Sequence, residues 1–419
     1  MEQVQQKDEA VTYFAETVFR DKREKFGIKA KDRRTHMYVI GKTGVGKSTL
    51  LGNLAHADVQ AGNGLALLDP HADLVKSLLQ SVPDDRMRDV VCFDPTDAHN
   101  PVRLNVFDHN HVDERALIAS SVVSIFKKLF PDSWGPRSEH LLRGAALALL
   151  EYPGASLLDA PRFLLDDGFR DDVLEHVTNS EVINLWDAEF AGYAKRFRNE
   201  AVSPILNKIG AFLTNPILQR IISSGERGID VREIMDHKKI LLVNLSRGKL
   251  GEDVSGLLGA LLVTKIHLAA LSRLQLPQTE RSDFYVYIDE FQYFATRSFV
   301  EMPAELRKVG VNLILSHQFT SQLPEPVRDA VLGNVGTIIA FRLGAKDAQI
   351  MAEEFFPTIK KGDFISLVRY RIYLRMMIDG VMSEPFSAVT LPGQLLLNSR
   401  RFRRQNLSPE RFLSGIERN

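Results

Sequence analysis

His36-Met37-Tyr38-Val39-Ile40-Gly41-Lys42-Thr43-Gly44-Val45-Gly46-Lys47-Ser48-Thr49-Leu50-Leu51 decides how the rest of the sequence is read. Four apolar residues, Met37 to Ile40, run into Gly41. Gly46, Lys47 and Ser48 follow after a four-residue gap, and Leu50, Leu51 and Leu54 then recur at helical spacing. A strand passing through a glycine-rich turn into a helix is the setting of a phosphate-binding loop, or P-loop. Glycines let backbone N–H groups approach a polyanion without side-chain obstruction, with the positive end of the next helix behind them. Gly41, Thr43, Gly44, Val45, Gly46, Lys47, Ser48 and Thr49 are therefore the candidate nucleotide-binding residues. Lys47 would bridge the β and γ phosphates and Ser48 would hold Mg²⁺, so the expected cofactors are ATP and Mg²⁺.

Working outward, Gly64-Leu65-Ala66-Leu67-Leu68 ends in Asp69-Pro70-His71-Ala72-Asp73, and Asp89-Val90-Val91-Cys92-Phe93 ends in Asp94-Pro95. Short continuous apolar runs with polar residues at their carboxyl ends read as buried parallel strands. Their alternation with helices is the pattern of a doubly wound α/β domain, whose ligands sit at that edge of the sheet. From about residue 112 to 233 strand signals vanish. Ala116, Ile118, Val122, Ile125 and Phe126, then Leu141, Leu142, Ala146, Leu149 and Leu150, recur at helical spacing and predict an all-helical insertion. The α/β pattern resumes at Lys239 to Leu245, followed by a long helix from Gly251 to about Leu274.

Phe284-Tyr285-Val286-Tyr287-Ile288 runs into Asp289-Glu290. Many strands end in acids, and it is the pairing with Gly41–Ser48 that gives this one its meaning. Asp289 would accept from Mg²⁺-bound water or from Ser48, and Glu290 would polarise the attacking water. A helix from about Glu301 carries Arg307 and Lys308 into the strand Val311 to Leu315, which ends in Ser316-His317-Gln318. Gln318 is the candidate for touching both the γ-phosphate and the water; a glutamine that caps the following turn is the alternative. A strand from Gly336 to Arg342, a helix from about Lys346 to Phe355 and a hairpin turning at Asp379-Gly380 complete the pattern.

Lys plus Arg and Asp plus Glu both total 53, so no global basic field announces nucleic acid and any polyanion site must be local. The single cysteine, Cys92, excludes an internal disulfide and fits a reducing compartment; on an apolar strand it reads as core. Met1 to Ala10 lacks the apolar centre of a secretory signal, and Leu257 to Leu271 is broken by Lys265 and His267, so it reads as a buried helix. The expected location is cytoplasmic, with membrane association only through a partner. Residues 1–34 read as a charged lead-in whose charges form a solvated face. Residues 35–111 and 234–395 form the nucleotide-binding domain, 112–233 the helical insertion, and 396–419 a tail carrying Arg400, Arg401, Arg403, Arg404, Arg411 and Arg418. That tail reads either as a nucleic-acid or partner contact or as a docked terminus.

With both halves of the ATP site placed, the sequence resembles the FtsK–HerA superfamily of hexameric pumping ATPases, above all conjugative coupling ATPases of the TraG/TraD kind that serve type IV secretion. The resemblance rests on Gly41 to Thr49, Asp69-Pro70-His71, Ile288 to Phe291, Arg307-Lys308 with Gly310, and Ser316-His317-Gln318. It implies a RecA-like P-loop NTPase fold with a mainly parallel central sheet, a homohexamer, and single-stranded DNA as the translocated partner. It also implies that Arg307 reaches the ATP site of the neighbouring subunit; without the resemblance Arg307 is a solvated helix charge. Arg342 is a weaker candidate for a similar role, and Arg196 and Arg198 are candidates for lining a central channel. Two departures stand out. Typical coupling ATPases begin with membrane-spanning helices, which this sequence does not show, and Ala72 replaces the glycine usual after His71. A HerA-like motor partnering a nuclease and a nucleotide-dependent scaffold without motor activity are the alternatives.

Overall fold

The computed structural model describes residues 8–19, 22–99, 102–109, 111–131, 134–222 and 228–395. The basic stretch from Arg400 to Arg418 lies outside them. The strands are β1 (Val11–Phe19), β2 (Lys22–Lys29), β3 (Met37–Ile40), β4 (Gly64–Asp69), β5 (Val90–Phe93), β6 (Ile240–Asn244), β7 (Phe284–Ile288), β8 (Val311–His317), β9 (Thr337–Ala340), β10 (Arg371–Arg375), β11 (Met377–Ile378), β12 (Val381–Met382) and β13 (Phe386–Thr390). Eleven of them form one sheet in the order β2-β1-β13-β10-β9-β3-β8-β7-β4-β6-β5. From β9 to β5 every neighbouring pair is parallel, and β10, β13, β1 and β2 extend the sheet antiparallel. This is the expected RecA-like α/β arrangement, and it brings the carboxyl ends of β3, β8, β7 and β4 side by side.

The apolar runs explain the sheet. Residues of β3, β4, β6 and β7 are buried throughout, because both faces of the sheet are covered. Met37, Val39, Leu65 and Leu67 pack on one face with Leu50, Leu51 and Leu54 of the helix Lys47–Gln60. Tyr38, Ile40, Ala66 and Leu68 face the other way, into an apolar core that continues through the long helix Glu252–Ser272 into the helices between β5 and β6. Those helices include Glu114–Leu129, Pro136–Leu149 and Lys195–Leu213. The helical segment thus shares its core with the sheet. Glu252–Gln275 is long and apolar enough to cross a membrane, but most of it is buried in this core, as the sequence suggested for Leu257 to Leu271. Cys92 on β5 is half-buried, and burial pushes its thiol up to about 11.

The reading of residues 1–34 as a lead-in with a solvated charged face is corrected for its described part. β1 and β2 pair antiparallel and join the sheet through the pairing of β1 with β13. Arg33 is buried, its guanidinium donating to both carboxylate oxygens of Asp58 at 2.7 and 2.8 Å and to the Tyr287 hydroxyl at 2.9 Å. Arg34 pairs with Asp283 at 2.9 Å. The Asp32 carboxylate accepts from the amides of Asp379 and Gly380, each at 2.9 Å, and so clasps the hairpin turn read from the sequence. Lys22 to Lys25 are exposed, and there they guard the edge strand against pairing with another chain.

The replacement of glycine by Ala72 has a visible cost. Ala72 adopts φ 70°, a left-handed conformation, just before the helix Asp73–Leu79, whose first amides are capped by Asp69: Leu74 N and Val75 N donate to its carboxylate at 2.8 and 3.1 Å. An alanine there costs about 1–2 kcal/mol, part of which glycine returns to the unfolded chain as entropy. Ala72→Gly is therefore expected to raise stability by about 0.5–1 kcal/mol in urea unfolding. A lowered midpoint would mean that the buried Cβ contacts outweigh the strain.

Candidate nucleotide site

The phosphate loop is strung between its two neighbouring strands. Gly41 N donates to His317 O at 3.3 Å, at the end of β8, and Lys42 N donates to Arg342 O at 3.0 Å, beyond β9. Val45 is buried and its carbonyl accepts from Tyr370 N at 2.9 Å. Gly46 has φ 122°, and a Cβ there would lie 2.7 Å from the Tyr370 ring, so both conformation and space require glycine. Leu50 N closes a helical bond onto Gly46 O at 3.0 Å, which leaves the amides of Lys47, Ser48 and Thr49 as the unpaired first turn of the helix. Thr43 and Gly44 lie exposed at the tip of the loop.

The charged groups converge on this loop. Lys47 is buried, and its Nζ donates to Gly41 O at 2.6 Å and lies 4.0 Å from Glu290 Oε1. Burial lowers the Lys47 pKa, with Glu290 and Asp289 opposing that fall. The exposed Ser48 hydroxyl donates to Asp289 Oδ2 at 3.3 Å. Asp289 is buried at the end of β7, where loss of water and then the charge of Glu290 push its carboxyl up to about 6. Glu290 takes a left-handed backbone conformation, φ 49° and ψ 51°, and its Oε1 and Oε2 accept from Gln318 Nε2 at 2.6 Å and Gln292 Nε2 at 2.8 Å. Thr43 Oγ1 in turn donates to Gln318 Oε1 at 2.9 Å, so Gln318 bridges the loop and the carboxylate. Placing β8 between β3 and β7 is what puts Gln318 in this bridging position.

Of the residues expected from the sequence, Gly41 to Thr49, Asp289, Glu290 and Gln318 come together. Arg307 does not. It is exposed in the last turn of the helix Met302–Lys308, at the amino end of β8, whereas Gln318 follows the carboxyl end. A seven-residue strand spans about 20 Å, beyond the reach of an arginine side chain. Arg342 lies at the loop edge of its own chain with its side chain exposed. Arg198 is tied down, with Nη2 donating to Ala191 O at 3.0 Å and its guanidinium over Phe190, while Arg196 is exposed beside Glu200. Gln292 and Tyr370 escaped the sequence reading. Gln292 sits two residues past Glu290, where an amide beside paired acids was the available signal; Tyr370 left none.

A family model for the type IV secretion-system coupling protein DNA-binding domain matches residues 25–356. The chain belongs to that family. The type 4 coupling protein DotL of Legionella pneumophila is 24% identical over 68% of this chain and 44% of its own length, so the chain spans less than half of that relative. Among solved structures, the plasmid coupling protein TrwB in complex with ADP and Mg²⁺ superposes with a TM-score of 0.62 at 15% identity, covering 88% of each chain. Its unbound form, TrwBdeltaN70, gives 0.61 at 15% identity over 88% of this chain and 87% of that one. VirB4 of Thermoanaerobacter pseudethanolicus gives 0.61 at 10% identity over 92% of this chain and 96% of its own. At these identities the likeness is one of fold.

Proposed function

We propose that the chain is the motor of a conjugative or type IV secretion coupling ATPase: a ring-forming, hexameric enzyme that couples ATP hydrolysis to movement of single-stranded DNA. The observation that carries the reading is the meeting of Lys47, Ser48, Asp289, Glu290 and Gln318 at one sheet edge, in a chain that belongs to the coupling-protein family. The residues fit ATP and Mg²⁺. The free amides of the first helical turn and the buried Lys47 ammonium suit a polyphosphate. Ser48 with Asp289, a carboxylate whose burial leaves its charge uncompensated, suits a hard cation with oxygen ligands. When bound, Mg²⁺ would neutralise charge developing on the phosphates. Glu290 would take the proton of the attacking water, and Gln318, bonded to Glu290 and Thr43, would register whether the γ-phosphate is present.

Arg307 acts across subunits in this reading, because its own loop lies at the far edge of the sheet. The division into a nucleotide-binding domain, 35–111 with 234–395, and a helical insertion, 112–233, is part of the same proposal. TrwB has been solved with ADP and Mg²⁺ and with non-hydrolysable ATP and GTP analogues, which supports a nucleotide at this edge. Secretion-channel components at the membrane are the partners a coupling protein implies.

The test is the ATPase rate of the full chain with and without single- and double-stranded DNA, alongside the mass of the assembly, with Lys47→Ala as the inactive control. Stimulation of about tenfold or more by single strands, in an assembly larger than a dimer, is expected. A rate indifferent to DNA supports a nucleotide-dependent scaffold instead, and preference for duplex ends supports a motor that serves a nuclease.

A further inference from the structure

A lysine of the helical segment reaches the turn that carries Glu290. Lys128 lies in the last turn of the helix Glu114–Leu129, where a positive charge suits the helix dipole. Its Nζ donates to Gln292 O at 2.8 Å and to Tyr293 O at 2.7 Å. Both carbonyls belong to the 3₁₀ turn Phe291–Tyr293, which begins immediately after Glu290, and the Gln292 side chain donates to Glu290 Oε2. Two hydrogen-bonded links therefore join the helical segment to the carboxylate.

Several features set this contact apart from ordinary packing. The half-buried ammonium faces two carbonyl oxygens, with no carboxylate bonded to it among the described residues, and burial pushes its pKa down to about 7. An apolar side chain of similar length would fill the same space without that penalty, so stability alone is a poor reason for a lysine here. The helix bearing it is keyed to the rest of the helical segment close by: Phe126 packs on Trp134 at 5.9 Å and on Phe212 at 6.0 Å, and Phe130 packs on Phe212 at 5.9 Å. From the other side, the Arg247 guanidinium covers the Tyr293 ring at 3.8 Å. Glu290 itself holds a left-handed conformation that its surroundings must impose, so a shift of this turn re-aims the carboxylate.

We propose that Lys128 is a positioning residue: by binding the Phe291–Tyr293 turn to the helical segment, it sets the orientation of Glu290 and makes the rate of hydrolysis answer to where that segment sits. This rests on the reading of Glu290 as the hydrolytic carboxylate. Lys128 bonds to none of Gly41 to Thr49, so nucleotide binding and turnover should separate when it is changed.

The experiment compares Lys128→Met, Lys128→Arg and wild type in the full chain, measuring nucleotide Kd, KM and kcat with and without single-stranded DNA. Lys128→Met is expected to lower kcat about tenfold or more while Kd and KM stay within about twofold. Lys128→Arg, which keeps donors on a long stem, should recover most of the rate. An unchanged kcat, or a parallel loss of binding and turnover such as general loosening produces, overturns the proposal. If Lys128→Met does not fold, Gln292→Leu cuts the second link with Lys128 in place and must show the same split; an unchanged kcat there overturns it equally. A wild type that ignores DNA sinks the motor reading and leaves the basal kcat of Lys128→Met to decide on Lys128. A wild type that responds to DNA, with Lys128→Met stimulated by the same factor, removes the coupling role.

Discussion

Glu290→Gln is expected to bind ATP with near-wild-type affinity and to hydrolyse it about a hundred- to a thousandfold more slowly. The carboxylate is buried, with one oxygen held by Gln318 and the other by Gln292. A glutamine is the same size and adopts the same backbone conformation, but it offers an N–H₂ where one amide now donates. Gln292 resolves the conflict, because its Oε1 is buried without a partner and a flip of its amide presents that oxygen to the new donor. The substitution therefore removes the proposed base without dismantling the site. It also removes a negative charge 4.0 Å from Lys47 and beside Asp289, which makes Asp289 easier to ionise and the loop more hospitable to phosphates. Turnover near that of wild type would assign the base elsewhere.

Arg307→Ala is expected to have the second large effect. An arginine donated to a neighbour's γ-phosphate contributes on the order of 10³-fold or more to turnover, because positive charge arrives where negative charge develops, in a site from which water is excluded. The position of Arg307 at the opposite edge of the sheet from its own loop makes the origin of the charge testable. Arg307→Ala and Lys47→Ala are each expected to be inactive alone. Mixed in equal amounts under conditions of subunit exchange, roughly a quarter of interfaces would pair an intact loop with an intact arginine, and activity should return in proportion. A mixture that stays silent at every ratio, with exchange shown independently, would argue against action between subunits.

The parts of the molecule that were legible in the sequence are those whose signal is local. β3, β4, β6, β7 and β8 are mainly apolar runs ending in or followed by polar residues, and the candidate site residues follow the carboxyl ends of β3, β7 and β8. β1 and β2 were illegible for a physical reason: the register shifts between Tyr13 and Ala15, so Phe14 and Ala15 are both buried and the period of two is lost. Arg33 looked like a surface charge because its partners, Asp58 and Tyr287, come from a helix and a strand distant in sequence. The left-handed turn at Ala72 was signalled only by the glycine usual at that position in the resembling family, since alanine itself does not advertise it. Lys128 was out of reach altogether, since it grips main-chain carbonyls and any residues at 292 and 293 would supply them.

The order of strands in the sheet carries a consequence for how the molecule comes into being. Met37, at the start of the strand that feeds the phosphate loop, is paired with Ile314 on one side and Thr337 on the other. Synthesis at roughly 5–20 residues per second brings Gly41 out of the ribosome long before those flanking segments exist. Closing such distant pairings is also the slow part of folding. The loop that appears among the first structured parts of the nascent chain is thus among the last to acquire its walls. Nucleotide cannot serve as an early template for folding, and a translation product that stops short of β8 carries the motif without a cradle. Only a chain extended past β9 holds both walls of the loop, so synthesis itself sets when the loop can take its folded shape.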